Sequence, residues 1–489
     1  MTSSGKPNVV LFVPDEMRAD VMGHLGHPSG ITPRLDALAA SEAVSFERAF
    51  CQNPVCTPSR CSFMSGWYPH VRGHRIQHHM MKRDEPVLLR DLKRSGYRVL
   101  WAGKNDLIPG DADFSEYCDI KHQAGPEVLN LHRDQSWRAP EGHPHHYSFL
   151  AGDLDASYPR HKTFDEDNVE AAVQFISTAA GEEQPFCVYL PLFYPHPPYA
   201  SSEPWLSAVD PASIPPLLPP VTELKDKPAA LRAIRERQNT GDLPEEEFRR
   251  IRSVYLSMVN QIDAQFGQVV DALKEAEIYE DTLILFFSDH GDFAGDYGLV
   301  EKTQNTFEDC LTRVPLVMKP PRSHSVSPGV RSGLAELVDI PATVADICGL
   351  KPEHPHFGRS LVPFLEEDRP DHRDAVFCEG GRLRGETQAM ELESTEDQIP
   401  GGLYWPRLSI QREAPVCHGK AVMVRTGRYK YVHRLYEQDE LYDLKTDPGE
   451  LANRIADPGL ESVRRELKDR LLQFFMETGD AVPLKPDPR

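Results

Sequence analysis

The chain has 489 residues, of which 40% are hydrophobic, and it carries a formal net charge of −21. This length favours one large domain with a smaller one, and the negative charge argues against nucleic acid as a partner. The longest apolar run is too short to cross a membrane, and no apolar leader precedes the first predicted strand. Nine cysteines without paired spacing argue against a disulfide framework. We therefore expect a soluble cytoplasmic protein.

The first predicted strand, residues 8–13, is a continuous run of apolar and β-branched side chains, which is typical of a buried parallel strand. It is followed by Asp15 and Glu16. Because ligands bind at the carboxyl ends of strands in open α/β sheets, these two acids are candidate metal ligands. On these residues alone, an acidic pair that caps a loop is an equally good interpretation. A helix over about residues 32–39 and a short strand over 44–46 follow.

The segment that begins at Cys56 reads Cys-Thr-Pro-Ser-Arg and predicts a loop that enters a helix. Pro58 suits the first helical turn, and Gly66 is a typical stop signal. This places Cys56 at a helix N-terminus, where free N–H groups favour negative charge, with Arg60 one turn further on. A buried structural cysteine beside a surface arginine is the alternative interpretation.

Two predicted strands in the first half of the chain lead to basic side chains. The strand over residues 97–102 is followed by Lys104, which we interpret as a cation that faces an anionic ligand. The strand over residues 186–192 leads to His196, and the flanking prolines hold this histidine stiffly, as suits a catalytic role. Between these strands, residues 109–162 show weak periodicity and predict an insertion that shapes specificity.

The strongest predicted strand, residues 282–288, leads into Asp289 and His290. These two side chains would meet Asp15 at the same edge of the sheet, and Lys302 lies on the loop beyond. Carboxylate oxygens with one imidazole suit a divalent cation such as calcium, magnesium or manganese better than zinc. The sequence therefore predicts one site, assembled at the ends of successive strands.

A long amphipathic helix is predicted over residues 245–275. The last part of the chain changes to short alternating strands separated by glycine and acidic turns. The strands on either side of residues 426–428 predict a hairpin, and a helix over about 460–475 would cover this sheet. We predict two domains, 1–370 and 371–489.

Together these motifs resemble those of the type I sulfatases of the alkaline-phosphatase-like superfamily, over residues 7 to about 457. The resemblance rests on the Pro-Asn-Val-Val-Leu strand with its acids, Cys-x-Pro-Ser-Arg, the Gly-Lys turn, Tyr-Pro-His-Pro-Pro, Ser-Asp-His-Gly with its later lysine, and Gly-Arg-Tyr-Lys-Tyr. The branch it is most similar to is the cytosolic one that contains phosphonate monoester hydrolases and choline-sulfatase-like enzymes. The implied fold is an α/β/α sandwich with a large mixed, mainly parallel sheet, plus a smaller C-terminal α+β domain with an antiparallel sheet.

The same resemblance implies that a formylglycine-generating enzyme oxidises Cys56 to formylglycine, which becomes the nucleophile. It also implies one divalent metal, calcium first, with manganese or magnesium as alternatives. The implied metal ligands are Asp15, Glu16, Asp289, His290 and Cys56. Arg60 would help to hold the nucleophile and Lys104 the sulfuryl oxygens. Lys302 and His196 would neutralise or protonate the leaving oxygen.

Two positions depart from the family pattern. Glu16 stands where many members have aspartate or glutamine, and Asp106 stands where many have a histidine. Either Asp106 or a histidine such as His78 would have to replace that base.

Three functional hypotheses follow. The first is hydrolysis of a small-molecule sulfate monoester, an aryl or sugar sulfate, and the second is hydrolysis of phosphonate monoesters or phosphodiesters at the same site. The third is a metal-binding protein with unmodified Cys56 and no turnover. We expect the insertion at about 109–162 and the loop at about 382–418 to select the substrate. The resemblance to the family also suggests a homo-oligomer formed through the C-terminal part.

Overall fold

The computed structural model describes residues 5–159, 161–391 and 399–485, in which a large mixed sheet is joined to a small antiparallel one. The strands are β1 Asn8–Asp15, β2 Val44–Phe50, β3 Arg98–Trp101, β4 Ile120–Lys121, β5 Val128–Leu129, β6 Leu150–Asp153, β7 Lys162–Thr163, β8 Phe186–Pro195, β9 Tyr199–Ser201, β10 Thr282–Phe287, β11 Arg313–Val314, β12 Leu316–Lys319, β13 Gly329–Glu336, β14 Val376–Gly380, β15 Ala421–Arg425, β16 Tyr429–Arg434 and β17 Glu440–Asp443. The helices are α1 Pro33–Ser41, α2 Cys56–Ser65, α3 Pro69–Arg72, α4 Leu88–Arg94, α5 Leu154–Ser157, α6 Phe164–Ala179, α7 Trp205–Ala208, α8 Ala229–Arg237, α9 Glu245–Glu275, α10 Asp309–Thr312, α11 Asp339–Cys348, α12 Trp405–Glu413 and α13 Glu461–Thr478. Within the described ranges, no helix combines the length and the apolar character that crossing a membrane requires.

The large sheet is built around β1, which pairs in parallel with β10 on one side and with β8 on the other. From edge to edge the strand order is β11-β2-β12-β10-β1-β8-β3-β4, and β13 pairs in parallel with β2. β12 runs antiparallel to both β10 and β2, whereas β3 is parallel to β8 and β4. The sheet is therefore mixed and mainly parallel, which confirms the prediction.

Helices cover both faces of this sheet. Phe12 of β1 packs edge-on against Phe266 of α9, with ring centroids 5.3 Å apart. On the opposite face, Phe287 of β10 packs against Phe63 of α2, with centroids 5.0 Å apart. Each face contributes to its own buried apolar cluster. These two cores make an α/β/α sandwich, and they explain why the central strands are apolar throughout.

The C-terminal sheet has the order β14-β15-β16-β17, and every neighbouring pair is antiparallel. The predicted hairpin is present, since the Thr426 N–H donates to Tyr429 O across the turn. Phe474 of α13 stacks on Phe377 of β14 with ring centroids 3.9 Å apart, so this helix covers the sheet as expected. The domain boundary near residue 370 stays a prediction.

On the β2 side of the large sheet, two features depart from continuous, predicted strands. The chain over residues 313–319 is divided into β11 and β12, because Pro315 lacks the N–H that a continuous ladder requires. β13 has no counterpart among the predicted strands, since Ser332 and Gly333 interrupt its apolar pattern. Both differences lie on the side of the sheet away from β8 and β3.

Candidate active site

Cys56 is the first residue of α2, and its side chain is fully buried. The helix accommodates Pro58 in its first turn and ends at Gly66, whose φ of 72° lies in the left-handed region. Ser59 Oγ donates to Asp289 O over 2.6 Å, which ties the start of α2 to the end of β10. The motif therefore forms the helix that it predicts, directly beside one of the predicted acids.

Four buried side chains converge at the carboxyl edge of the large sheet. They are Asp15, Cys56, Asp289 and His290. One potential ligand atom of each lies within 4.8 Å of the others. Glu16 belongs to an overlapping group with Asp15 and His196, and its φ of 70° is rare for a residue other than glycine. The structure thus brings the five predicted metal ligands into two overlapping groups that share Asp15, and His196 belongs to the second group.

Two cations offset the charge of these carboxylates. The Arg60 guanidinium lies 2.9 Å from Asp289 Oδ2 and 3.1 Å from Asp15 Oδ2, and Lys104 Nζ lies 2.6 Å from Asp15 Oδ2. Burial alone would raise the pKa of Asp15, but Lys104 and Arg60 hold it well below its usual value. Asp15 is therefore an ionised acceptor at the centre of the site.

The donor set fits a hard divalent cation. Glu16 Oε1 is buried, and no described residue supplies a hydrogen bond to it. His290 donates its Nδ1–H to Gly291 O over 2.9 Å, so the lone pair of Nε2 is left for another partner. Burial lowers the pKa of His290, which keeps the ring neutral, as a metal ligand must be. Carboxylate oxygens around one imidazole suit calcium, magnesium or manganese.

Lys302 and His196 form a pair next to Glu16. Lys302 Nζ lies 2.8 Å from Glu16 Oε2 and 3.1 Å from His196 Nε2. His196 donates its Nδ1–H to Pro197 O over 2.5 Å, so its Nε2 accepts from the Lys302 ammonium. Burial and Lys302 hold the pKa of His196 well below its usual value, whereas Glu16 and Glu301 raise the pKa of Lys302 despite its burial. The pair is a charged donor beside a neutral imidazole.

The two candidates for the replacement base lie in different surroundings. Asp106 Oδ2 is 2.8 Å from Lys104 Nζ, and Lys104 Nζ is 3.7 Å from Cys56 Sγ. His78 is exposed. Asp106 is therefore linked to Cys56 through the side chain of Lys104, whereas His78 lies at the protein surface.

Two side chains that the sequence did not single out also lie at the site: His132 from the insertion and Tyr404 just before α12. The centroid of the His132 ring is 5.6 Å from that of His196 and 6.1 Å from that of Tyr404. Burial, Lys104 and Lys302 lower the pKa of His132 to about 3, so its ring is neutral. Neither residue lies in a periodic segment, so no sequence pattern identifies it.

Comparison with known proteins gives matches over most of the chain. The family model described as Sulfatase matches residues 7–350, and the model described as N-sulphoglucosamine sulphohydrolase, C-terminal, matches residues 411–477. The multifunctional alkaline phosphatase superfamily protein PehA of Trinickia caryophylli is 26% identical over 97% of this chain and 96% of its own length. Choline-sulfatase of Rhizobium meliloti is 26% identical over 93% of this chain and 84% of its own.

A solved structure agrees with these sequence matches. The phosphonate monoester hydrolase of Agrobacterium radiobacter superposes with a TM-score of 0.74 at 25% identity, over 98% of this chain and 100% of its own. The Sulfatase match alone covers more than half of the chain, and it contains the predicted site residues from Asp15 to Lys302. The resemblance seen in the motifs is thereby confirmed: the chain belongs to the sulfatase family of the alkaline-phosphatase-like superfamily and is a sulfuric ester hydrolase.

Proposed function

We propose that this protein hydrolyses an aryl or sugar sulfate monoester, with a formylglycine formed from Cys56 as the nucleophile. The observation that carries this proposal is the position of Cys56 Sγ, 3.4 Å from Asp15 Oδ1 and 3.2 Å from His290 Nε2. Burial and Asp15 raise the pKa of the thiol well above its usual value, so an unmodified Cys56 is a poor nucleophile. Oxidation to an aldehyde, which hydrates to a diol, would put hard oxygen donors where the soft sulfur stands.

One divalent cation, calcium first, with manganese or magnesium as alternatives, fits beside this residue. The residues that would hold it are Asp15, Glu16, Asp289, His290 and the modified residue 56. When bound, the cation would polarise the sulfuryl oxygens and offset their charge. The buried oxygen Glu16 Oε1, which lacks a hydrogen bond from the described part of the chain, supports its inclusion.

The side chains around the nucleophile would divide the remaining work. Arg60, fixed by its contacts with two carboxylates, would orient the attacking oxygen, and Lys104 would hold the sulfuryl oxygens. Lys302 is charged and donates to the neutral His196, so this pair would deliver a proton to the leaving alcohol. Lys104 contacts both Asp106 and residue 56. Asp106 would therefore serve as the base for release of sulfate.

Mass spectrometry of the peptide around residue 56 tests the proposal, with protein from a host that contains a formylglycine-generating enzyme. We expect the aldehyde, together with turnover of 4-nitrophenyl sulfate that Cys56→Ala abolishes. Cys61→Ala is the matched control, since Cys61 is a second buried thiol of α2 and should leave turnover intact. A fully unmodified thiol in such protein, without turnover, would contradict the proposal and favour a metal-binding protein that does not catalyse.

A phosphonate monoester or phosphodiester hydrolase is the second candidate. It is favoured by the superposition on a phosphonate monoester hydrolase over nearly the whole chain. The same side chains could serve both reactions, because each substrate presents a tetrahedral group of oxygens to the nucleophile. Values of kcat/KM for 4-nitrophenyl sulfate and 4-nitrophenyl phenylphosphonate, measured on one preparation, decide between them: the higher value identifies the main activity.

A further inference from the structure

The metal-ligand cluster is buried, but four residues beside it keep partial exposure. They are Lys104, His132, Phe193 and Tyr404. We call this group the entrance wall. The alcohol part of a bound ester has to extend from this buried position toward the partly exposed residues of the site, and the entrance wall supplies ring surfaces among them. The chemistry of this wall therefore selects the alcohol.

The entrance wall is a stack of rings supplied by three separate segments of the chain. The His132 centroid lies 4.9 Å from that of Phe193 and 5.6 Å from that of His196. On its other side, His132 stacks on Tyr404 with an angle of 12° between the ring planes. Flat, neutral ring surfaces of this kind favour packing against an aromatic or pyranose ring of the substrate.

Cationic side chains already lie over the faces of two of these rings. Lys104 Nζ lies 5.4 Å from the centroid of Phe193, and the Arg407 guanidinium lies 5.4 Å from the centroid of Tyr404. Aromatic rings can bind a quaternary ammonium group through cation–π contacts. Here such a group would meet two positive charges on the same rings, with Lys302 nearby. The entrance wall therefore disfavours a choline-like alcohol.

His132 contributes one polar atom to the wall. Its Nε2 is buried, and the described residues offer it no hydrogen bond. The Tyr404 hydroxyl lies 3.5 Å from Nδ1. In the tautomer in which this hydroxyl donates to Nδ1, the proton of the neutral ring stands on Nε2. A buried donor without a partner costs about 1–3 kcal/mol, so an alcohol that supplies an acceptor oxygen here binds better. His132 lies beside His196, the histidine proposed to serve the leaving oxygen, so this acceptor would stand close to the ester oxygen.

We propose that His132 and Tyr404 form a leaving-group subsite for ring-bearing alcohols with an oxygen substituent next to the sulfate ester. A vicinal hydroxyl of a sugar, or an ortho-hydroxyl of a phenol, has this arrangement. The subsite disfavours quaternary ammonium alcohols. This inference rests on the proposed function, because it requires the ester to react at residue 56.

The test compares kcat/KM for 2-hydroxyphenyl sulfate, phenyl sulfate and choline sulfate. Choline sulfate should be the poorest substrate of the wild type. His132→Phe keeps the ring but removes the donor, so it should lower the ratio of 2-hydroxyphenyl to phenyl sulfate about tenfold, equivalent to about 1.4 kcal/mol. Because the ratio is compared between variants, the different reactivity of the two phenols cancels. His143→Ala, an exposed histidine of the same insertion, is the control and should leave the ratio unchanged.

Two results would overturn the subsite: an equal loss of kcat/KM on both aryl sulfates in His132→Phe, or choline sulfate as the best substrate of the wild type. An enzyme that hydrolyses phenylphosphonate esters and no sulfate ester contradicts the proposed function instead. In that case the same ratio, measured with the 2-hydroxyphenyl and phenyl esters of phenylphosphonate, decides whether the subsite exists.

Discussion

The active site and a second buried charge cluster both hold carboxylates against an arginine, but their remaining polar atoms are satisfied differently. The second cluster consists of Arg373, Glu336, Asp339 and Tyr68. The Arg373 guanidinium lies 3.0 Å from Glu336 Oε2 and donates to Asp339 over 3.1 Å, and the Tyr68 hydroxyl donates to Glu336 over 2.7 Å. The remaining oxygens accept backbone N–H groups, from Phe377 over 2.9 Å and from Arg359 over 2.7 Å.

In the active site, by contrast, Glu16 Oε1 and His132 Nε2 are buried without a hydrogen bond from the described chain. Such atoms cost free energy unless a ligand completes them. Asp15 and Asp289 also lie in one group although like charges repel, and burial raises the pKa of Glu16 beside Asp15. The carboxylates of the Arg373 cluster find their hydrogen-bond partners within the described chain, so this cluster stabilises the fold. The active site, in contrast, is arranged for a metal and a substrate. The following predictions separate these two roles.

The largest effect is expected from Asp15→Ala or Asp289→Ala. Each change removes a carboxylate from the proposed metal site, so metal content and activity should fall together, with kcat/KM reduced by more than about a thousandfold. Metal analysis of the purified protein and kinetics on an aryl sulfate check this. Activity retained in either variant would refute the assignment of these residues.

Lys302→Met should reduce kcat/KM by about a hundredfold or more for alcohols of high pKa, because the leaving oxygen loses its proton donor. The loss should shrink as the alcohol becomes more acidic, so the dependence of log kcat/KM on leaving-group pKa becomes steeper. Lys227→Met is the control, since Lys227 is also buried and ion-paired, 3.0 Å from Glu308, outside the site. An equal loss on all leaving groups would show that Lys302 does not act on the leaving oxygen.

Arg373→Met should act on stability instead. It leaves Glu336 and Asp339 buried without their cation, so the free energy of unfolding should fall by about 3 kcal/mol. The measurement is urea unfolding, with kcat/KM per folded molecule expected to stay at the wild-type value. Lost activity in fully folded protein would mean that this cluster also serves the reaction.

The smallest effect concerns His74, whose Nε2 lies 3.0 Å from Glu85 Oε2. Burial would lower its pKa, but hydrogen bonds that its ring donates to the side chains of Cys61 and Glu85 raise the pKa of His74 to about 10. The folded-state pKa exceeds the unfolded value of about 6.5, so the pair stabilises the protein fully below that pH. This contribution, about 2 kcal/mol, is lost as the pH rises through 10. The difference in unfolding free energy between wild type and His74→Gln should therefore shrink between pH 6.5 and 10, and a constant difference would contradict this.

The sequence predicts most of the fold wherever a single physical signal dominates. The apolar stripe of α9 is regular over its whole length, so its bounds agree with the predicted range 245–275. Similarly, β1 and β10 are continuous apolar runs, so their ends, with Asp15 and Asp289, are defined closely. These strand ends also place the candidate ligands at one edge of the sheet.

What the sequence does not predict depends on tertiary packing. His132 lies in a segment without periodicity, and its contact with Tyr404 joins residues 272 positions apart. The left-handed backbone of Glu16 has no local signal either, because glutamate does not favour that conformation. No pattern in the sequence decides between Asp106 and a histidine as the base either, because the contact of Asp106 with Lys104 is seen only in the folded chain.

The complete burial of Cys56 has a consequence for biosynthesis. Asn53 Nδ2 donates to Glu379 O over 2.6 Å, so the loop before α2 is fastened to β14 of the C-terminal sheet. Once this late part of the chain has folded, an oxidising enzyme has no route to the thiol. Under the proposed function, maturation must therefore precede completion of the fold, during or soon after synthesis. Incubation of a formylglycine-generating enzyme with the folded thiol form should leave Cys56 unchanged, while the same enzyme should convert the unfolded chain.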